Sequence, residues 1–305
     1  VGTTKDDEGE YIDAVGTAEL MALFPPPPDD TPAPVAESAD TPSGAANGAD
    51  AGDDGDAGFG PPERVRFAPG GDRRTLRLFA ADEALIAAAV EQADGPVVVA
   101  IMGGSAFVVP WLDDVGAAMQ IWYPGMMGGT ALGAIVTGAA EPGGRLPFAV
   151  PHDEGDLVDF DPDATAADYT LFHGHWHLER QGIEPHLPFG HGSGYTSFAV
   201  TSPEPAADGG ELSVEVSNVG DRAGSTVVFV FGGLPGSAND RPARRLVGFR
   251  RIGLAAGARA RVDVAIDWRQ LDLRLDGSWH TEPGRYQLHV GQSSADIMAT
   301  VEVDR

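Results

Sequence analysis

Between residues 77 and 137 the apolar positions alternate between two periods. The stretch RLFAADEALIAAAVEQA, residues 77–93, sets Leu85, Ile86, Ala89 and Val90 at helical spacing. Asp82 and Glu83 lie near its start, where carboxylates complement the helix dipole. Pro96-Val97-Val98-Val99-Ala100-Ile101-Met102 is then a continuous apolar run of strand length, the pattern of a strand covered on both faces. A short strand over 118–122 and a helix over 130–137 follow, separated by a Gly-rich turn. This alternation predicts an α/β domain with a mostly parallel sheet and right-handed crossovers. From Phe198 onward the period becomes two, with Leu212-Ser213-Val214-Glu215-Val216 alternating as a half-buried strand does. Further strands over 227–231, 244–252, 260–266 and 285–290 are separated by turns bearing Gly and Pro. About seven short strands in this span predict an all-β sandwich.

Other stretches carry neither period. Residues 25–62 are dominated by Pro, Gly, Ala, Asp and Ser, with Phe59 the only aromatic residue. Such a segment buries too little apolar surface to offset its ordering entropy, which predicts a disordered acidic linker. Its Asp50, Asp53, Asp54 and Asp56 lack the Gly-then-Glu ending of an EF-hand loop, so no calcium site is expected. Residues 151–197 are loop-rich. The organisation is therefore an opening segment 1–24, an insertion 25–62, an α/β domain 63–197 and a β-sandwich 198–305. Because the chain opens abruptly at Val1, the parallel sheet is expected to lack its opening strands, a truncated α/β domain.

Charge narrows the function classes. The formal net charge is −26, from 46 acidic against 20 basic residues, and Lys5 is the only lysine. Such a surface repels phosphate backbones and anionic lipid, which excludes nucleic-acid and membrane-surface binding. Acidic excess with almost no Lys also matches proteins that work in concentrated salt, where ions screen self-repulsion. No run approaches the ~20 apolar residues of a membrane span, and no segment has a signal-peptide pattern, so a cytoplasmic setting is expected. Cysteine is absent, which removes disulfides, thiolate metal sites and Cys nucleophiles. Gly103-Gly104-Ser105 follows the apolar strand at its C-terminal end, where open α/β sheets place ligands. It lacks the Gly-Lys-Ser/Thr ending of a P-loop and the spacing of a dinucleotide fingerprint.

Several motifs occur in an order that resembles one known family. They are the loop Asp7-Glu8-Gly9-Glu10-Tyr11, the turn Trp122-Tyr123-Pro124-Gly125-Met126-Met127-Gly128-Gly129, and Pro185-His186-Leu187-Pro188-Phe189-Gly190-His191-Gly192-Ser193-Gly194-Tyr195-Thr196. In the sandwich they are joined by Asn218-Val219-Gly220 with Gly224, Leu246-Val247-Gly248-Phe249-Arg250-Arg251 and Pro283-Gly284-Arg285-Tyr286. Together they resemble glycoside hydrolase family 3, the β-glucosidases. The likeness is to its C-terminal α/β sandwich domain and the fibronectin-III-like module that ends many members. The resemblance implies retaining hydrolysis of terminal β-D-glucosides without metal or organic cofactor. It also implies a nucleophilic Asp in an N-terminal (β/α)8 barrel to which nothing in this chain corresponds. By the resemblance, the general acid/base is a Glu in the Pro-Gly-x-Glu-Gly-Gly turn, a position that Met127 occupies here.

A thioether neither donates nor accepts a proton at neutral pH, so the chain alone is expected to be inactive, with no catalytic residue of its own. Candidate substrate-binding residues are Glu8, Glu10, Tyr11 and Trp122. The two glutamates would bind a sugar hydroxyl or stand in as proton donor, or else form a solvated acidic loop, the reading that composition favours. Trp122 would stack on a sugar ring or fill the core. His173, His175 and His177 alternate, and on a strand would share one face and could ligate zinc. The resemblance carries no metal there, and none is expected. Expected partners are a β-glucoside or oligosaccharide, and a separately encoded barrel chain if this one is a non-catalytic sugar-binding module or subunit.

Overall fold

The computed structural model of the chain describes residues 75–161, 164, 166 and 168–305. The opening segment with Glu8, Glu10 and Tyr11, and the linker 25–62, lie outside the described residues. Among the described residues no helix is long and apolar enough to cross a membrane.

The first part opens with α1 (Ala80–Gln92), which buries Ile86. β1 (Val98–Ile101) then pairs in parallel with β2 (Ala117–Gln120), Val98 opposite Ala117. The crossover between them passes through a 3₁₀ turn at Leu112–Asp114. Val99 and Ile101 point into a core shared with Leu78, Ile86, Phe107, Val109, Trp111 and Val150. Val98 is 46% exposed, against the expectation of a strand covered on both faces. The reason is that the described parallel sheet has two strands, so only the Val99 and Ile101 side meets a packed layer. α2 (Gly128–Val136) starts two residues before the predicted helix.

The loop-rich stretch contains a helix that the pattern did not predict, α3 (His175–Gln181), anchored by Leu178 at 1% exposure. Gly182 ends it in the left-handed region at φ 69°, its N–H returning to Glu179 O while Ile183 N–H reaches Leu178 O. The strand reading of the three histidines is thereby corrected. His175 and His177 are two residues apart on a helix, where i and i+2 diverge. Among the described residues no group of three metal-ligating side chains assembles.

The rest is antiparallel. β3 (Phe198–Pro205), β4 (Glu211–Asn218), β5 (Gly224–Gly233), β6 (Arg245–Leu254) and β7 (Arg259–Ala265) come first. They are followed by the small hairpin of β8 (Leu273–Leu275) with β9 (Ser278–His280), then β10 (Arg285–Gly291) and β11 (Ile297–Asp304). One sheet has the order β11-β10-β5-β6 and the other β3-β4-β7. Period two does the sorting, since Leu212, Val214 and Val216 meet Val228, Val230, Tyr286, Leu288 and Val290 in a core at 0–1% exposure. Asn218, itself 1% exposed, is satisfied on every side. Its Nδ2 donates to Arg222 O at 2.8 Å and Leu254 O at 3.1 Å, and its Oδ1 accepts from Thr196 Oγ1 and Gly220 N.

Residues 185–196 bind the two parts together. Leu187 exchanges backbone hydrogen bonds with Val150. Gly190 N–H donates to Leu146 O at 2.8 Å, and Ser294 N–H donates to Phe189 O at 2.8 Å. Tyr195 Oη donates to Ile135 O at 2.7 Å. The α/β part and the sandwich thus belong to one compact unit.

Candidate functional site

The candidate site lies at the C-terminal ends of β1 and β2, where a parallel sheet presents loops to a ligand. Gln120 Nε2 donates to Gly103 O at 2.8 Å and ties the two strand ends together. Trp122 then takes φ 55°, in the left-handed region, which is unusual for a bulky residue and costs about 1–3 kcal/mol. Its ring meets Phe148 edge-on at 5.9 Å.

The turn that follows is dictated by its glycines. Gly125 sits at φ 63°, and a Cβ on Gly128 would fall 2.6 Å from Pro124 Cγ, so neither position accepts a larger residue without a shift. This backbone projects Met126, fully exposed, and Met127, 65% exposed. Met127 is the N-cap of α2 and its side chain makes no capping hydrogen bond. A carboxylate there would complement the helix dipole; a thioether gains nothing from it. Met127 has no proton to exchange.

Below Trp122 runs a groove of about 440 Å³, lined by Ile101, Gln120, Trp122, Arg145, Phe148 and His191 among others. Among the described residues, none that lines it is Asp or Glu. Arg145 donates through Nη1 to Gly192 O and through Nη2 to Thr226 Oγ1 at 3.1 Å, while its Nε has no partner among the described residues. Burial depresses the Arg145 pKa, with Arg251 adding to the effect. Burial likewise pushes the His191 imidazole below its ordinary value, helped by the nearby Arg145 cation. The groove can hold a neutral ligand against an aromatic wall, but the described residues bring no pair of carboxyl groups to it.

Two other glutamates, Glu141 and Glu154, accept structural hydrogen bonds. Glu141 Oε1 accepts from Tyr195 N at 2.8 Å, between Gly194 and Gly224, which have no side chain to displace it. Glu154 accepts from Leu76 N at 2.8 Å and from the Thr75 hydroxyl. Of the sequence candidates, the structure brings Trp122 and Met127 to one turn, whereas Glu8, Glu10 and Tyr11 lie outside the described residues. Sequence reading missed Arg145. Its signal was faint, a single Arg between Gly144 and Leu146 in a loop.

Comparison with known proteins accords with this architecture. Residues 34–195 match the glycosyl hydrolase family 3 C-terminal domain, and residues 226–294 match a fibronectin type III-like domain. The first match begins inside the stretch read as a linker. A β-glucosidase of Rhizobium radiobacter is 36% identical over 250 residues, covering 76% of this chain and 30% of that protein. An exo-alpha-(1->6)-L-arabinopyranosidase of Bifidobacterium longum is 32% identical, covering 80% and 34% respectively. The crystal structure of DesR, a β-glucosidase from Streptomyces venezuelae in complex with D-glucose, superposes with a TM-score of 0.71 at 32% identity. That superposition covers 76% of this chain and 32% of DesR. The chain spans about 30% of the length of the curated relatives it matches. With its α/β domain followed by a fibronectin-III-like sandwich, the chain belongs to glycoside hydrolase family 3.

Proposed function

We propose that this chain is the C-terminal portion of a β-glucosidase-type glycoside hydrolase, and that alone it does not hydrolyse glycosides. The observation that carries this is the turn at Pro124–Gly129. Its backbone constraints are intact at Gly125 and Gly128, yet the side chain it presents is the exposed, non-titratable Met127. Retaining hydrolysis of a terminal β-D-glucoside needs two carboxyl groups about 5 Å apart, one attacking the anomeric carbon and one protonating the leaving oxygen. Among the described residues, the groove beside the turn has no carboxyl group in its lining. The parental reaction would draw its nucleophile from a barrel, and needs no metal or organic cofactor.

A second reading is a non-catalytic sugar-binding module, or a subunit completing a separately encoded (β/α)8 barrel. It is favoured by the same turn, whose shape is retained without its ionisable group, and by the aromatic Trp122 at the groove.

The test is hydrolysis of an aryl β-glucoside by the chain alone and by the chain mixed with a (β/α)8 barrel from a relative, in dilute buffer and in molar salt. The chain alone should be silent, and turnover by it would overturn the proposal. In the mixture, Met127→Glu should raise turnover while Glu8→Gln and Glu10→Gln leave it unchanged. Loss of turnover on Glu10→Gln would place the proton donor in the opening loop and refute the role assigned to the turn.

A further inference from the structure

A second groove, of about 530 Å³, lies away from the turn, between α3 and the edge strand β6. Its apolar walls are Trp176, Phe189 and Phe249, and its polar groups are Arg245, Asp267 and Gln270, with the His175 ring stacked on Phe189. Phe249 is 64% exposed and is propped at its base by Phe229, ring to ring at 6.4 Å. Trp176 is half-buried, and among the described residues its indole N–H has no acceptor, so the ring is held by packing and by Arg245. The Arg245 guanidinium lies 5.1 Å from the Trp176 ring centroid.

Arg245 is the unusual member. Its neighbours Arg241 and Arg244 are paired, with Glu282 at 3.4 Å and Glu179 at 2.7 Å. Arg245 is half-buried and, among the described residues, its guanidinium has neither an ion pair nor a hydrogen bond. Burial depresses its pKa, Arg241 adds to the effect, and no carboxylate opposes them. In a chain with 46 acidic against 20 basic residues, a desolvated cation without an acid beside it is the exception. A half-buried guanidinium presents a planar fork matched to a carboxylate.

The other polar groups narrow the ligand. Asp267 Oδ1 accepts from Arg269 N at 3.2 Å and Oδ2 from Gln270 Nε2 at 3.0 Å, which leaves lone pairs on both oxygens. Gln270 keeps its carbonyl oxygen and its second N–H for a ligand. These groups suit hydroxyl donors, and the Asp267 charge disfavours a dianion such as phosphate. Flat aromatic walls suit the face of a sugar ring. We infer that this groove is a binding site for a carboxylate-bearing sugar, a uronic acid residue, with Arg245 on the carboxylate, Trp176 and Phe249 on the ring, and Asp267 and Gln270 on the hydroxyls. The site is independent of the turn at 124–129.

The test uses the full chain, titrated at fixed ionic strength with D-glucuronate, D-glucose, benzoate and inorganic phosphate. Binding is followed by the NMR shift of the Trp176 indole N–H, assigned with Trp176→Phe. Glucuronate should bind about tenfold or more tightly than glucose, and Met127→Glu should leave its binding unchanged. Arg245→Gln should abolish the preference, and Arg245→Lys should keep part of it. Equal binding of glucuronate and glucose, benzoate or phosphate matching glucuronate, or a preference that survives Arg245→Gln would each overturn the proposal. Should Arg245→Gln fail to fold, Asp267→Asn serves, since it should weaken both sugars and keep the preference for the acid. Unchanged sugar binding by that variant would refute the site.

Discussion

Gly190→Ala tests how the two parts of the molecule are joined. Gly190 sits at φ 84°, and a Cβ there would lie 3.0 Å from Phe229 Cε2 and 3.2 Å from the Ser293 Cα. The left-handed conformation alone costs an alanine about 1–2 kcal/mol. The contact adds about 1–3 kcal/mol, the usual range for overpacking. Relief is restricted, because Ser294 N–H holds Phe189 O at 2.8 Å and Gly190 N–H holds Leu146 O at 2.8 Å. Gly257 provides the control. It sits at φ 68° in the turn between β6 and β7, with nothing within 4 Å of the position a Cβ would take. Gly257→Ala should therefore cost the conformational part only. At about 2–4 °C per kcal/mol for a protein of this size, Gly190→Ala should melt ~5–15 °C below the parent. Thermal unfolding followed by near-ultraviolet circular dichroism measures both variants. If they differ by less than about 0.5 kcal/mol, within the scatter of additive effects, the steric argument at the joint is wrong.

Two further outcomes follow from the same geometry. Tyr286 is wholly buried, packs edge-on against Trp268 at 5.5 Å, and donates from its hydroxyl to Glu282 O at 2.6 Å. Tyr286→Phe leaves that carbonyl without its donor and should cost about 1–2 kcal/mol in urea unfolding; an unchanged midpoint would refute the importance of the bond. His175 stacks on Phe189 at 4.9 Å, and burial holds its pKa below the ordinary value, with Glu179 opposing and Arg244 and His173 reinforcing. The folded state therefore binds fewer protons than the unfolded state below the unfolded pKa of about 6.5. Its stabilising contribution is full above that pH and is lost as the pH falls from there toward the depressed folded value. The melting temperature should drop over that window, and His175→Gln should flatten part of the drop; identical slopes would exclude His175 as the cause.

The sandwich was legible because its chemistry is repetitive. Alternation in β4 located its core face; the strand over 224–233 extends the one expected over 227–231 at both ends, whereas that over 245–254 starts one residue later and ends two residues later than the one expected over 244–252. The α/β part was legible in its elements and motifs but less so in its packing. An apolar run such as 96–102 records that a strand avoids water, not which layers cover it, and Val98 proved exposed. α3 was hidden because a helix of only two turns between Gly174 and Gly182 is set by its glycine ends and by Leu178 rather than by period. The turn at 124–129 was legible through its resemblance to a family motif, and Gly125 and Gly128 meet what its backbone requires. Arg145 and Arg245 were not, because what marks them is spatial: burial for both, and for Arg245 the lack of an opposing acid among the described residues.

The distribution of buried surface bears on how the chain can act. A two-stranded sheet is marginal by itself, and independent stability needs more strands or a packed layer. Here β1 and β2 have α1 on one side, and they connect through 185–196 to a sandwich whose core residues reach 0% exposure. The sandwich is therefore the rigid part, and the turn carrying Met127 inherits its position from the joint at Leu187, Gly190 and Tyr195. Tyr195 closes that path by donating to Ile135 O, inside α2, the helix that begins where the turn ends. Loosening the joint would displace the turn without altering any residue in it. Any activity restored by a carboxylate at position 127 should accordingly fall in a Gly190→Ala background, at temperatures where that variant is still folded.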